Sequence, residues 1–452
     1  MPGVPSFRGC DACHKQKKKC DQARPACSRC KRLRIPCVGC GERRYKFINQ
    51  STGSPSATSR AAQPACQGVP ATPSNQRTIV ADAFLSALKV TDVRFDLSIY
   101  GSFLKDIPKR LGTNEALDAS VEALTTALPW IQSRRETPEM FDRYAHALKT
   151  LRLCLDDPVK GRSPDTLCAL YLVVVCQGWI ARRDDPIPSH HVAVAHLLNI
   201  AASQNWHGSF ESDLVATLCF LAITESFGNS QIKLDPRLWS QPRHLGPRTP
   251  ALHNIETLKL ANVARASALV QNPHGRWPEV EFTYKLLQAD CAKLKHLLSQ
   301  MSLVASDTTP GSIQTSQFVR MHVRLQAAYG FVLCLAVTFN MILRVQEPTN
   351  NSLVSDSAAL VSEIVTVADM ASAYRPLGSS SMPLSLISAW MVTDNAHQRS
   401  RVEKVLAEYQ ADFPSTDWLK LANILRAKYE ALSSGPWDLR NFTHEINAGL
   451  LQ

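Results

Sequence analysis

Residues Cys10 to Cys37 read CDACHKQKKKCDQARPACSRCKRLRIPC and hold six of the fourteen cysteines in a chain of 452 residues. The six cysteines form two triplets, seventeen residues apart: Cys10, Cys13 and Cys20, then Cys27, Cys30 and Cys37. In each triplet two residues separate the first pair of cysteines and six residues separate the second pair. This repeat predicts a small domain built around the six thiols.

The number of thiols indicates a site for two metal ions. Cysteines two residues apart can bind one ion from a single turn, and Zn²⁺ is the ion whose structural sites use four sulfur ligands. One zinc ion would leave two cysteines without a role. Two zinc ions need eight ligand positions, which six thiolates supply if two of them bridge both ions. The repeat favours a symmetry-equivalent bridging pair, such as Cys10 and Cys27.

Basic side chains concentrate in the same part of the chain. Residues 1–50 carry thirteen Lys or Arg against three acidic residues, a net charge of plus ten, whereas the whole chain carries plus eleven at pH 7. A protein that binds a polyanion gains affinity from each phosphate that it neutralises, because condensed counterions are released. The charge therefore favours a nucleic-acid partner over a neutral scaffold. Some of these residues could also serve as a nuclear import signal: Arg43, Arg44 and Lys46.

The cysteine stretch resembles the DNA-binding domain of the fungal binuclear zinc cluster (Zn2Cys6) transcription regulators, over about residues 8 to 48. The six-cysteine spacing carries the resemblance, and Arg24-Pro25 is similar to the loop where that family turns the chain between its halves. The resemblance implies a short helix after each CxxC pair, with Cys10 and Cys27 as the bridging ligands. It also implies a nuclear, zinc-dependent regulator of genes transcribed by RNA polymerase II.

The resemblance further implies which residues contact double-stranded DNA. In this family the first helix points its C-terminal end into the major groove, and the lysine four positions past the second cysteine, here Lys17, reads a CGG triplet. A lysine can donate to the O6 and N7 acceptors of guanine in that groove. Other basic residues are expected mostly to position the protein on phosphates: Lys15, Lys18, Lys19, Arg29, Lys31, Arg32 and Arg34. The chain departs from the family at His14 and Gln16, where basic residues are usual.

The composition changes after the cysteine stretch. From about Asn49 to Asn75 it is mostly Ser, Thr, Pro, Gly, Ala and Gln, with almost no large apolar residues, which is typical of a flexible linker. We therefore predict a DNA-binding domain at 1–48, a linker at 49–78 and a large domain at 79–452. Residues Thr78 to Val90 show no sustained apolar heptad. The chain is thus expected to bind DNA as a monomer or to form a homodimer through the large domain.

Helix signals dominate the large domain. Thr137-Pro138-Glu139 and Ser163-Pro164-Asp165 each place a capping hydroxyl before a proline at the first helical position, with an acid in the first turn. Three long segments are apolar at helical spacing: Glu211 to Phe227, Glu279 to Leu303 and Ser316 to Val345. Because no succession of strand patterns appears, we expect an all-α array of roughly ten or more helices.

The run from Ile99 to Leu124 is similar to the start of the regulatory region in many zinc cluster proteins. That resemblance implies a domain that controls activation, through a small-molecule inducer or a co-regulator. The apolar runs Leu167 to Ile180 and Gly330 to Val345 are shorter than the roughly 20 residues that span a bilayer, and the N-terminus lacks an apolar signal segment. We expect a protein with no membrane partner, free thiols and a nuclear location.

Competing patterns are weaker. Cys10 to His14 matches the CxxCH haem-attachment pattern, which would leave four regularly spaced cysteines unexplained. Asp156-Asp157 and Asp184-Asp185 lack the third carboxylate of a DDxxD magnesium motif and are expected at helix ends or in loops. No nucleophile with its base and no phosphate-binding loop appears, so we expect no enzyme.

The main rival is a zinc-binding interaction or sensor protein that never contacts DNA. It predicts the same number of zinc ions, but it leaves the charge of plus ten without a purpose. Cys40 is an extra thiol beside Cys37, and its role is left open. The large domain contains further cysteines within apolar runs, which are expected to be small core residues: Cys154, Cys168, Cys176, Cys219, Cys291 and Cys334.

Overall fold

The computed structural model describes most of the chain in nine segments: residues 9–38, 75–181, 190–204, 206, 208–227, 229, 231–239, 252–305 and 313–430. The chain divides into two compact units, Met1–Ala71 and Thr72–Gln452. Most of the linker predicted at 49–78 lies outside the described residues, and a helix begins at Gln76, near the end of that segment. The domain boundaries at residues 48 and 78 stay predictions.

The first unit contains two short helices, α1 at Asp11–Lys15 and α2 at Ser28–Leu33. Each helix follows the first cysteine of its triplet. Cys10 (φ −69°, ψ 158°) and Cys27 (φ −64°, ψ 148°) are the N-cap residues, in nearly the same extended conformation. The helices therefore begin inside the CxxC pairs and include the second cysteine, whereas we expected them to follow the pairs.

The second unit is built from helices. Within its described residues the α-helices are α3 (Gln76–Leu88), α4 (Glu115–Ser133), α5 (Pro138–Asp156), α6 (Pro164–Ile180), α7 (His190–Ser203), α8 (Ser209–Ser226), α9 (Leu260–Gln271), α10 (Trp277–Ala305), α11 (Ile313–Gln346), α12 (Asn351–Ala371), α13 (Met382–Val392), α14 (Ala396–Gln410) and α15 (Trp418–Glu430). Short 3-10 helices connect them at Val93–Phe95, Leu97–Tyr100, Ser102–Lys109, Lys160–Arg162, Pro236–Leu238, Glu256–Leu258 and Ser372–Tyr374. These segments contain no β-strand. The predicted all-α fold is confirmed.

The starts of α5 and α6 show why local sequence signals predicted them. Thr137 accepts a hydrogen bond from the Met140 amide (3.4 Å), and Ser163 accepts one from the Thr166 amide (3.2 Å). A proline occupies the first turn of both helices. Both predicted caps are confirmed, because a capping hydroxyl followed by proline satisfies the free amides of a helix start without any distant partner.

Helix α11 lies in the core of the second unit and packs against α10, α12 and α13. Its stretch Gln317–Gln346 is long and apolar enough to cross a membrane, but 78% of its apolar window is buried inside the unit. The helix is thus longer than the run of Gly330 to Val345 on which we based our expectation. Its burial among neighbouring helices is typical of the core helix of a globular protein.

The cysteines of the second unit are buried as expected: Cys154, Cys168, Cys176, Cys219, Cys291 and Cys334. Burial raises the pKa of Cys176 and of Cys291 to about 12, and it raises the pKa of Cys334 to about 11. Thiols that stay protonated are poor nucleophiles and poor metal ligands. These cysteines therefore act as small core side chains.

A buried ion pair joins the start of the second unit to α11. Asp96 is 3% exposed, and its carboxylate accepts hydrogen bonds from the Arg320 guanidinium at 2.6 Å and from the Ser98 amide at 2.9 Å. The Arg320 guanidinium also donates to the Val90 carbonyl at 2.8 Å. Residues 90–98 are thereby fixed against a helix more than 200 positions later in the chain.

We expect Asp96→Ala to destabilise the second unit by about 3 kcal/mol, because removing one partner leaves a partly buried guanidinium without its charge. The matched control is Asp92→Ala, which also removes a cap (the Arg94 amide, 3.0 Å) but breaks only an exposed pair with Arg94 (2.7 Å), and it should cost about 1 kcal/mol. Urea unfolding of both variants, followed by circular dichroism, measures the difference. Equal midpoints for the two variants would contradict the structural role assigned to Asp96.

Candidate metal centre and nucleic-acid interface

The six sulfur atoms of the first unit form two groups of four. In each group all Sγ atoms lie within 4.8 Å of one another: Cys10, Cys27, Cys30 and Cys37 in one, and Cys10, Cys13, Cys20 and Cys27 in the other. Cys10 and Cys27 belong to both groups. Two zinc ions need eight sulfur ligands in total. Six thiolates supply eight ligand positions when two sulfurs belong to both groups and four belong to one group each, as they do here.

The separations between sulfur atoms match those of a zinc thiolate site. The Cys10 Sγ lies 3.7 Å from that of Cys27 and 3.5 Å from that of Cys30, and the Sγ atoms of Cys13 and Cys27 are 3.8 Å apart. A tetrahedral zinc ion with Zn–S bonds of about 2.3 Å places its sulfur ligands about 3.8 Å apart. The donor atoms and their spacing therefore fit Zn²⁺.

The backbone repeats along with the cysteines. The amide of Lys18 donates to the Cys13 carbonyl at 2.9 Å, and seventeen residues later the amide of Ile35 donates to the Cys30 carbonyl at 3.1 Å. The residue before each donor is left-handed, with φ 49° at Lys17 and φ 53° at Arg34. A left-handed residue ends a helix and redirects the chain. Each half therefore turns in the same way toward the third cysteine of its triplet.

The interior of the first unit consists almost entirely of thiols. Cys10, Cys13, Cys27 and Cys30 are fully buried, and the partly buried side chains packed against them include Ala12 and Ile35. Such a small apolar interior cannot offset the conformational entropy lost on folding. The metal must supply that free energy, which is about 10 kcal/mol or more for structural zinc.

Residues 8–46 match the family model of the fungal Zn(2)-Cys(6) binuclear cluster domain. The chain carries a zinc cluster domain of this family. No curated protein and no solved structure matches the chain significantly. The resemblance drawn from the cysteine spacing is thus confirmed for the domain itself.

The family assignment carries several general properties. A zinc cluster domain binds two zinc ions through six cysteines. Proteins of the family are generally nuclear, zinc-dependent, DNA-binding transcription regulators. The domain therefore implies a transcription factor.

Backbone hydrogen bonds and burial shift the pKa values of the thiols in the zinc cluster domain in opposite directions. A hydrogen bond from the Cys13 amide lowers the pKa of Cys10 to about 6, despite its burial. Burial raises the pKa of Cys30 to about 12. The Cys30 amide, 3.4 Å from the Cys27 sulfur, acts to lower the pKa of Cys27, but burial and the neighbouring thiols outweigh it and the pKa is raised. Without a cation, the cluster therefore keeps protons on part of its thiols.

Zinc loading should consequently depend on pH. Thiols with a raised pKa, such as Cys27 and Cys30, are protonated at neutral pH, so zinc must displace their protons and protons must compete with zinc as the pH falls. We expect the apparent zinc affinity to fall steadily from pH 8 to pH 6. Competition with a metallochromic chelator at each pH measures it, and an affinity independent of pH would contradict the protonation of these two thiols.

The basic residues predicted to contact DNA lie mostly on the surface of the zinc cluster domain. All but one are exposed: Lys15, Lys17, Lys18, Lys19, Lys31, Arg32 and Arg34. The Asp21 carboxylate accepts a hydrogen bond from the Ser28 amide at 3.1 Å and so stabilises the start of α2. Arg29 differs from the others, because it is half-buried and its Nη2 donates to the Gln16 Oε1 at 2.7 Å. This contact could not be predicted from the sequence spacing.

Other sites considered from the sequence are not assembled in the described residues. In the described part of the chain, ligand atoms of three or more His, Cys, Asp or Glu residues come together in two groups. Both are the sulfur groups of the zinc cluster domain. The Asp157 carboxylate accepts hydrogen bonds from the amides of Val159 (2.8 Å) and Lys160 (3.0 Å), a role at the end of α5. Several residues named above lie outside the described residues: Cys40, Arg43, Arg44, Lys46, Asp184 and Asp185.

Proposed function

We propose that this chain is a zinc-dependent, sequence-specific DNA-binding transcription regulator of RNA polymerase II genes, which reads CGG-type half-sites in the major groove. The observation that supports it best is the pair of sulfur groups sharing Cys10 and Cys27, beside an exposed set of lysines and arginines. In this proposal the six cysteines of the repeat are the zinc ligands. Cys10 and Cys27, which belong to both sulfur groups, would be ligands of both ions.

The zinc ions, when bound, link the two halves of the domain and supply its folding free energy. Helix α1 and the turn after it then present Lys17, whose Nζ donates to the O6 or N7 of guanine. Lys17 has a left-handed backbone just after α1, and its side chain is exposed. The exposed cations around it fix the register of the domain on the phosphates.

The second unit, in this proposal, is a regulatory domain that binds a small-molecule inducer or a co-regulator and forms any homodimer. The size of its helical core supports a regulatory role for this unit. Regulation of a biosynthetic gene cluster or of nutrient use fits this arrangement. Deleting residues 79–452 should alter the response of a reporter gene to growth conditions, and an unchanged response would contradict the control role.

Selection of bound sequences from a random duplex library tests the proposal. The full-length protein is used with zinc and, in parallel, after treatment with a chelator. Enrichment of CGG in the zinc sample alone is expected, and one triplet or two at a fixed spacing distinguishes a monomer from a dimer. No enrichment in either sample would favour the rival, a zinc-binding interaction or sensor protein that does not contact DNA.

A further inference from the structure

We propose that Arg29 is a positioning residue of the zinc cluster and not a phosphate contact: its guanidinium joins the two halves and offsets the negative charge of the metal thiolates. This inference rests on the proposed binding of two zinc ions by the six cysteines. It does not depend on the proposed recognition of CGG. It changes the role that sequence reasoning gave to Arg29.

The position of Arg29 sets it apart from the other cations of the domain. It lies in the first turn of α2, between Cys27 and Cys30, and it is half-buried. Its Nη2 donates to the side chain of Gln16, the residue that ends α1, at 2.7 Å. The contact therefore runs from the second half of the repeat to the first. Its sequence neighbour Arg32 is exposed.

The other terminal nitrogen of the Arg29 guanidinium, Nη1, faces the interior of the zinc cluster domain. Arg29 Nη1 is buried and has no hydrogen-bond partner among the residues that the structure describes. Burying a cationic N–H group is costly unless an acceptor or an opposite charge lies nearby. Arg29 is the residue before Cys30, whose sulfur is fully buried in the cluster, so the metal-bound thiolates would supply that opposite charge.

The charge of the loaded cluster explains why a guanidinium suits this place. Six thiolates and two Zn²⁺ carry a total charge of about minus two at a site whose central sulfurs are fully buried. A neighbouring cation stabilises the thiolate form and so the bound metal, and groups that support metal ligands in this way typically contribute 10–100-fold in affinity. The planar guanidinium of arginine directs separate nitrogens at a sulfur and an amide oxygen, whereas lysine must donate to both from a single nitrogen.

The test compares Arg29→Ala, Arg29→Lys and Gln16→Ala with the control Arg32→Ala in the zinc-loaded full-length protein. Two quantities are measured: the rate of zinc release to a metallochromic chelator, and the salt dependence of binding to a random duplex. We expect Arg29→Ala to release zinc about tenfold faster or more, Arg29→Lys to lie between it and the unmodified protein, and Gln16→Ala to accelerate release several-fold. Arg32→Ala should release zinc at the unmodified rate.

Salt dependence separates the two roles of a basic residue. Loss of a phosphate contact reduces the slope of log affinity against log salt by about 1. We expect that reduction for Arg32→Ala and none for Arg29→Ala held at saturating zinc, because Arg29→Lys keeps the charge and would keep the slope in either role. Unchanged zinc release in Arg29→Ala and Gln16→Ala, or a slope reduced by about 1 in zinc-saturated Arg29→Ala, would overturn the proposal. An unmodified protein that binds zinc but no duplex would refute the DNA-binding function and leave the zinc-release comparison intact.

Discussion

Replacing Cys27 with serine is expected to remove both zinc ions and with them all specific DNA binding. Its sulfur belongs to both groups of four, so its loss takes one ligand from each site, and a serine hydroxyl does not replace a bridging thiolate. Since the metal provides the folding free energy, the domain should unfold. We expect the zinc content to fall from two per chain to nearly none, and the affinity for a CGG duplex to fall about 1,000-fold or more, to the non-specific level.

Cysteines that belong to one group provide the comparison. Cys20→Ser removes a ligand from a single group, so it should retain about one zinc ion per chain and lose less affinity. Native mass spectrometry counts the ions directly. Two zinc ions retained in Cys27→Ser, or equal losses in Cys27→Ser and Cys20→Ser, would contradict the bridging role.

Cys37 and Cys40 test the assignment of the second site. We expect Cys37→Ser to lose zinc, because its sulfur lies within the group of Cys10, Cys27 and Cys30. Cys40→Ser should keep two zinc ions per chain. The reverse result would mean that the second site uses the extra thiol.

Replacing Lys17 with alanine is expected to relax the preference for CGG while leaving most non-specific binding in place. A good base contact in the major groove contributes about 1–3 kcal/mol of discrimination, or roughly 10–100-fold. Lys17 is exposed at the turn that follows α1, so its removal should not disturb the cluster. Titration of CGG and scrambled duplexes measures the ratio of the two affinities.

Arg32→Ala and Lys31→Ala are the matched controls for Lys17→Ala. Both residues are exposed on α2 and are assigned to phosphates, so either change should weaken binding to CGG and scrambled duplexes alike. The zinc content of all three variants should stay at two per chain. An equal loss on both duplexes for Lys17→Ala would refute its assignment to a base.

Signals confined to a few residues predicted much of this molecule. The cysteine repeat indicated the two halves of the first unit, because metal ligation and its spacing are local. The caps at Thr137 and Ser163 located α5 and α6 for the same reason. Apolar periodicity predicted α8, α10 and α11 nearly to their ends, since each buries a long face in the core.

Contacts between distant residues could not be predicted in this way. The pair of Asp96 and Arg320 joins residues 224 positions apart, and no spacing rule links them. Arg29 and Gln16 are similar: charge alone placed Arg29 among the phosphate contacts, and only the packing of α2 against the end of α1 shows its partner. Residue type alone does not separate an exposed cation from a half-buried one, whereas the structure does.

The most direct test of the central claim is an anisotropy titration of a CGG duplex and of a scrambled duplex with the full-length protein. It is made with zinc, after removal of zinc by a chelator, and after zinc is restored. We predict preferential binding to CGG with zinc, loss of that preference without it, and full recovery when zinc returns. Equal affinity for both duplexes in all three states, with two zinc ions bound, would contradict the claim that this zinc cluster reads DNA.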